Sequence, residues 1–253
     1  MPYSVSGITE RNYHGTGLVV DSELGLVVVD RNTVPVSAGD VAVTLAGTLQ
    51  IPAKVVYIHP LHNLAVVQYD PKLIGNTPVK SARLASRDIN PGESVWVVGL
   101  GADSEIRLRG TEIADIEPIQ LPLSRTMRFR DSNLEGIQLV NPPLDYDGVL
   151  LERSGRVIGL WSSFAYESGR ELTQDNRGVP IDLVEEMLTR VRTNAPLHSL
   201  EVEFGITPLA SARELGLSDD WAKKLTQHSP SQRQVLSIVR MVGGAPVPRV
   251  LQQ

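Results

Sequence analysis

Cysteine is absent from the 253-residue sequence. Without thiols the chain cannot contain a disulfide framework, a thiolate zinc site or a cysteine nucleophile. The sequence also lacks a basic excess, since its formal net charge is −5 and no long block carries charge of one sign. A nucleic-acid partner is therefore not expected, because binding to phosphates needs a basic face.

No hydrophobic run approaches the length of a membrane-spanning helix, which takes about 20 apolar residues. The start of the sequence has neither a basic flank nor an apolar core, so it does not resemble a signal peptide. These absences predict a soluble chain, in the periplasm or the cytoplasm if the protein is bacterial, and leave the compartment open. No spacing of histidines and carboxylates indicates a metal site, and nothing indicates a cofactor.

Short runs rich in valine and isoleucine, separated by turn signals, fill the first two-thirds of the sequence. Aromatic residues are few there, and they make up 5% of the whole chain. Many short strands at spacings of about 8–12 residues are typical of an all-β sandwich or barrel. The predicted strands cover residues 17–20, 26–29, 41–45, 53–58, 64–69 and 94–100.

A hairpin is predicted over residues 148–160. An apolar run over 148–151 is followed by a polar turn and by a second apolar run over 157–160. Hairpins of this shape often follow the nucleophile of a hydrolase. The preceding residues 144–147, however, contain no serine, threonine or cysteine. The segment therefore has the shape of an active site without its nucleophile.

A helix is predicted over residues 180–191, where proline and aspartate near the start are typical of a helix N-terminus. Four apolar side chains share one face at helical spacing: Ile181, Val184, Leu188 and Val191. The stretch 193–196 then interrupts the pattern and indicates a linker. We therefore expect one domain over residues 1–193 and a second over 194–253.

The tail alternates between predicted strands and helices. Strands are expected over 200–206 and 235–239, and helices over 209–215 and 221–225. A tail of about 60 residues can build only a small core. Five of its apolar side chains are expected to stay partly exposed: Trp221, Leu225, Val235, Ile238 and Val239.

The order of these pieces resembles the HtrA/Deg family of trypsin-like serine proteases, which couple a double β-barrel to PDZ domains. The likeness covers about residues 13–192, and several motifs in the family's order specify a fold more closely than a single motif does. It rests on segments in the family's order: 15–21, 25–34, 63–66, 144–150 and 178–184. The resemblance implies an all-β, trypsin-like double β-barrel with a C-terminal helix, followed by a partial PDZ-like α+β segment.

The residues that the family uses for catalysis are missing at the matching positions. By the resemblance, Asn32 stands where the family has histidine, Asn63 where it has aspartate and Tyr146 where it has serine. An amide cannot act as a base near neutral pH, and a phenol cannot replace the hydroxyl in the nucleophile's turn. Asp147 also replaces a glycine of the turn that forms the oxyanion hole, and it adds negative charge there. We therefore predict that the triad is lost.

This loss resembles the degenerate second protease-like domain of large HtrA-type proteins from fungi, plants and some bacteria. The implied function is a catalytically inactive domain that acts as a structural, regulatory or interaction module of a larger HtrA/Deg protease. The expected partners are other domains of such a protease, or unfolded and peptide clients. Family members commonly trimerise, so a homo-oligomer is also an expectation.

The tail resembles the beginning of a PDZ domain of the same family. The resemblance implies peptide-binding positions at Leu200, Glu201 and Val202. Glu201 stands where the family usually has glycine, so its carboxylate is expected to weaken binding of a peptide C-terminus by repulsion. A PDZ-type peptide-binding adaptor is accordingly one alternative function.

A second alternative is an active HtrA-type endopeptidase with a rearranged site that uses His62 and a nearby serine. The interpretation preferred here places His59 and His62 in a surface loop between two strands. Ser162 and Ser163 could be replacement nucleophiles, but they are interpreted as wall residues of a substrate-binding strand. Trp161 is interpreted as a core or pocket-lining side chain.

Overall fold

The computed structural model describes residues 14–35, 37–101, 103–119, 121, 134–168, 171–198, 200, 202–228, 230 and 233–241. The chain forms two compact units, Met1–Pro196 and Leu197–Gln253. The domain boundary expected after residue 193 stays a prediction. No helix in the described part of the chain is long and apolar enough to cross a membrane.

The first half of unit one is an antiparallel sheet, which among the described residues has five strands in the order β1-β2-β5-β4-β3. Strand β2 is buried at every position and β5 at four of its five, so these two strands pack on both faces. Exposed positions alternate along β3 and most of β4. This fits the β-branched composition that predicted the strands. The strands are β1 (Leu18–Asp21), β2 (Leu26–Val29), β3 (Val41–Leu45), β4 (Leu49–Ile58) and β5 (Ala65–Tyr69).

The second half of unit one is a closed barrel in the order β10-β11-β8-β7-β6-β9. The predicted hairpin over 148–160 is confirmed, because β9 pairs antiparallel with β10 and Gly155 turns the chain at φ 75°. The strands are β6 (Ser94–Leu100), β7 (Ile106–Pro118), β8 (Glu135–Leu139), β9 (Gly148–Leu151), β10 (Val157–Ser168) and β11 (Glu171–Pro180). The all-β expectation for this unit is confirmed.

One apolar core joins the sheet, the barrel and the helix that follows the barrel. Helix α1 (Ile181–Thr193) begins after Pro180 and buries the face predicted from its spacing. Its side chains meet strands of both halves in a cluster that includes Val28, Val66, Phe164, Val184 and Leu188. The two halves are thereby held together, and the loops at their junction are brought side by side.

Unit two has the alternation predicted for the tail. It consists of β12 (Val202–Pro208), α2 (Leu209–Glu214), α3 (Asp219–His228) and β13 (Gln234–Met241), with β12 and β13 antiparallel. The predicted exposure of apolar side chains is confirmed, with Trp221 at 57% and Val239 at 57%. Leu225, Val235 and Ile238 are also at least partly exposed.

Candidate functional site

The predicted triad positions Asn32 and Asn63 lie where the first sheet faces the barrel. Asn32 follows β2 in a short turn that the Asp30 side chain caps, since Asp30 Oδ1 accepts the Thr33 N–H at 2.7 Å. A backbone hydrogen bond closes the same turn, since the Val34 N–H donates to the Asp30 carbonyl at 3.2 Å. A capped turn of this kind holds its side chains in defined directions.

Both amides converge on one backbone carbonyl of the barrel. Asn32 Nδ2 donates to the Ser163 carbonyl at 2.5 Å and to Ser163 Oγ at 3.2 Å. Asn63 Nδ2 donates to the same carbonyl at 2.7 Å, while its Oδ1 accepts the Arg31 N–H at 2.9 Å. The two amides are therefore engaged in hydrogen bonds that tie the first sheet to β10.

A buried carboxyl group completes this contact. Asp30 is only 5% exposed, and its Oδ2 accepts the Ser163 N–H at 3.3 Å. Burial raises the pKa of Asp30, and the hydrogen bonds from Thr33 and Ser163 oppose that rise. Nothing in the sequence marked Asp30 beyond its place after a run of valines, and it was not predicted as a site residue.

A second carboxyl group, that of Asp147, lies near the first. Its Oδ1 accepts a hydrogen bond from Asn176 Nδ2 at 3.1 Å, and Asn176 is the cross-strand partner of Ser163. Burial and the charge of Asp30 raise the pKa of Asp147 to about 7, whereas the bond from Asn176 lowers it. The site is thus an acidic and amide-lined contact between sheet and barrel.

Tyr146, the residue at the predicted nucleophile position, has its ring packed against the barrel core. Gly99 makes room for the segment, since a Cβ there would lie 2.0 Å from the Asp147 carbonyl and 2.7 Å from Tyr146 Cδ2. Burial and then Asp145 raise the pKa of the Tyr146 phenol, and the charges of Arg109 and Arg107 oppose that rise. The phenol is therefore not activated as a nucleophile.

Trp161 is a buried core side chain of the barrel. Trp161 is 1% exposed, and its Nε1 donates to the Pro143 carbonyl at 3.1 Å, which anchors the loop before β9. Ser162 and Ser163 are both buried in β10. Ser163 Oγ accepts a hydrogen bond from an amide, which cannot remove its proton.

The prediction that His59 lies in a surface loop was wrong. The His59 ring is buried, and its Nδ1 accepts the N–H groups of Leu61 and His62 at 3.1 and 2.9 Å. Burial and then the neighbouring His62 lower the pKa of His59 to about 4, so the ring is neutral and carries its proton on Nε2. The ring organises the turn between β4 and β5. Within the described residues no group of three or more His, Cys, Asp and Glu side chains could hold a metal ion.

Two of the three predicted peptide-binding positions of the tail are among the described residues. Leu200 is 53% exposed, and Val202 is buried and pairs with Met241. Glu201 lies outside the described residues. The assignment of these three residues to a peptide site stays a prediction.

Several named proteins are similar in sequence to nearly the whole of this chain. The chain is 33% identical over 252 residues to the PDZ domain-containing protein C23G3.12c of Schizosaccharomyces pombe, with 97% of this chain and 25% of that protein covered. It is 34% identical over 255 residues to the pro-apoptotic serine protease nma111 of Aspergillus niger, with 97% of this chain and 24% of that protein covered. It is 30% identical over 279 residues to Protease Do-like 7 of Arabidopsis thaliana, with 99% of this chain and 25% of that protein covered. The chain spans about a quarter of the length of these relatives, and no family model matches it.

Solved structures show the fold. The HtrA-type protease AlgW with decapeptide has a TM-score of 0.58 at 18% identity, covering 93% of this chain and 65% of that chain. The MamO protease domain from Magnetospirillum magneticum has a TM-score of 0.51 at 19% identity, covering 68% of this chain and 87% of that chain. The predicted double β-barrel is confirmed by these likenesses.

Proposed function

Because the chain belongs to the HtrA/Deg family of trypsin-like serine proteases, we propose that it is a catalytically inactive protease domain serving as a structural or interaction module of a larger protein. The observation that carries the proposal is the use of Asn32 and Asn63. Both side-chain amides donate to the Ser163 carbonyl, in the positions where the resemblance expects a histidine and an aspartate. Acyl transfer needs a base beside a hydroxyl, and amides supply none.

The nucleophile position supports the same proposal. Tyr146 packs its ring against the barrel core, and the next residue, Asp147, adds a carboxyl group to the turn. An oxyanion hole works by presenting N–H donors to a developing negative charge. A carboxyl group beside that position opposes the charge when ionised, so substrate activation is weakened together with nucleophilic attack.

A rearranged protease site is less well supported. His62 stacks on the His59 ring at a centroid distance of 4.7 Å, in the turn between β4 and β5. Ser163 Oγ is instead contacted by Asn32. An adaptor function of the tail has no specific observation in its favour, because Val202 is buried within the two-stranded sheet. We infer that the partners are other domains of the longer protein or unfolded client segments.

The experiment that tests this function is a labelling and cleavage assay. The purified chain is incubated with a fluorophosphonate probe and, separately, with denatured casein at pH 7 to 8. A Ser163→Ala variant, which removes the hydroxyl at the centre of the contact, serves as the matched control. We expect no labelled serine and no cleavage in either protein. Labelling of any serine in the original chain, or cleavage that survives purification controls, overturns the proposal, and its disappearance in the variant would assign the activity to Ser163.

A further inference from the structure

The edge of β10 that faces β9 loses its partner strand partway along. Among the described residues, β9 pairs with β10 from Val157 to Trp161, whereas β10 continues to Ser168 and stays paired with β11 over that length. A strand edge without a neighbour offers N–H and C=O groups to any extended chain. Ser163 is the second residue beyond the last β9 pair, so it is placed where such an edge begins.

The backbone of Ser163 points toward this edge. Residues of an antiparallel strand direct their N–H and C=O groups to the same side. The Ser163 N–H donates to Asp30, and the Ser163 carbonyl accepts from Asn32 and Asn63. Asp30 and Asn32 lie just after β2, and Asn63 lies just before β5. Ser163 therefore forms a non-hydrogen-bonded pair with Asn176 of β11, and both of its backbone groups face the open side.

We propose that Asp30, Asn32 and Asn63 close the open edge of β10, so that an extended peptide cannot pair with the barrel at Ser163. The three side chains satisfy both backbone groups that an incoming strand would need. The inference concerns the pairing of a peptide with the barrel and not chemistry on it, and it goes beyond the loss of catalysis.

The closing side chains are held in place by their own contacts. Asp30 also caps the turn that carries Asn32, through its bond to the Thr33 N–H. Asn63 is 2% exposed and accepts the Arg31 N–H, which sets the orientation of its amide. An incoming strand would have to displace these buried bonds, and a buried donor left without its acceptor carries a desolvation penalty. The closure is therefore a property of the folded domain and not of a mobile side chain.

Asn32 is the residue to change, because it is only half-buried and its amide makes no bond that organises its own turn. The Asn32→Ala variant removes one of the two donors to the Ser163 carbonyl and opens space beside it. Asn76→Ala, at an exposed asparagine of the same sheet half, is the matched control. Asn32→Ser is a second variant that shortens the side chain with a smaller change in volume.

The test measures binding of fluorescein-labelled β-casein, an unfolded chain, by fluorescence anisotropy. We expect Asn32→Ala and Asn32→Ser to bind at least about tenfold more tightly than the original chain and the Asn76→Ala control. Residue-level hydrogen exchange with casein present is expected to slow the Ala165 amide in the variants and to leave it unchanged in the original chain. Ala165 is the next residue of β10 whose backbone faces the same side.

Several results would overturn the closure. One such result is that the Asn32 variants and the Asn76→Ala control bind casein with equal affinity. Another is that casein slows hydrogen exchange only in β12 and β13. Slowed hydrogen exchange of the Ala165 amide when casein is added to the original chain would show that the edge is open without any substitution. This measurement needs no variant, so it can refute the proposal even if a variant does not fold. Gels of the same samples distinguish failure of this proposal from failure of the proposed function. Cleavage of casein would contradict the inactive protease domain, but it would not contradict the closed edge of β10.

Discussion

Replacing Asp147 by asparagine should make the domain less sensitive to alkaline pH. The Asp147 carboxyl group is largely buried, lies near Asp30 and has a pKa of about 7 in place of 3.8. The amide introduced by Asp147→Asn is nearly the same size, and its oxygen can accept the same hydrogen bond from Asn176. The substitution therefore removes the charge and keeps the packing.

The magnitude follows from linkage between proton binding and folding. The folded protein holds the Asp147 proton more tightly than the unfolded chain does, so the stabilisation is complete below the unfolded pKa and is lost as pH rises through the folded pKa. A rise from 3.8 to about 7 corresponds to at most about 4 kcal/mol, at about 1.4 kcal/mol per pKa unit. Between pH 5 and pH 8, this group should lower the free energy of unfolding by about 2 to 3 kcal/mol.

The assay is urea unfolding followed by tryptophan fluorescence at pH 5 and pH 8. We expect the Asp147→Asn variant to lose most of the difference between the two pH values that the original chain shows. Asp30 also has a raised pKa and remains in the variant, so part of the pH dependence persists. Asp145→Asn, at the exposed neighbouring carboxylate, is the control. The reasoning is refuted if Asp147→Asn keeps the full pH difference, or if Asp145→Asn abolishes it.

Two further substitutions test the packing of unit one. Tyr69→Phe removes a buried hydroxyl that has no hydrogen-bond partner among the described residues. The free energy of unfolding should therefore stay unchanged or rise by about 1 kcal/mol. A clear loss of stability in urea unfolding would argue against this. Gly99→Ala places a Cβ 2.0 Å from the Asp147 carbonyl and should cost about 1–3 kcal/mol in the same assay. Gly110→Ala, whose nearest contact would be at 3.5 Å, should cost much less, and equal losses at the two glycines would contradict the close packing of the loop before β9.

The elements could be predicted from the sequence because their signals are local. Valine-rich runs between turn residues predicted the strands, and the spacing of four apolar residues predicted helix α1. The hairpin of β9 and β10 was marked by its apolar runs and polar turn. The family's motifs in order then indicated the double barrel. Some element ends differed, as in β4, which begins at Leu49 and not at residue 53. Three strands of the barrel, β7, β8 and β11, were not among the predicted strands.

The burial of His59 was not predictable from its neighbours. A short segment with proline, histidine and asparagine, residues 59–63, joins two predicted strands and is typical of an exposed turn. In the structure the ring accepts two backbone N–H groups and supports that turn from inside. A local pattern does not show whether a polar side chain faces water or satisfies the backbone beneath it.

By itself, the sequence determined most of the strands, helix α1 and the lack of thiol chemistry. It also showed Asn32, Asn63 and Tyr146 at the three positions that the resemblance matches to a catalytic triad. What those residues do was decided by tertiary structure alone. Asn32 meets Ser163 across 131 positions of sequence and Asp30 meets it across 133, distances that no local periodicity spans. The raised pKa of Asp147 likewise arises from burial and from Asp30, in the turn after β2. Hydrogen bonding and desolvation depend on which groups the closed barrel and the sheet bring within a few ångströms, and only the folded chain brings these groups together.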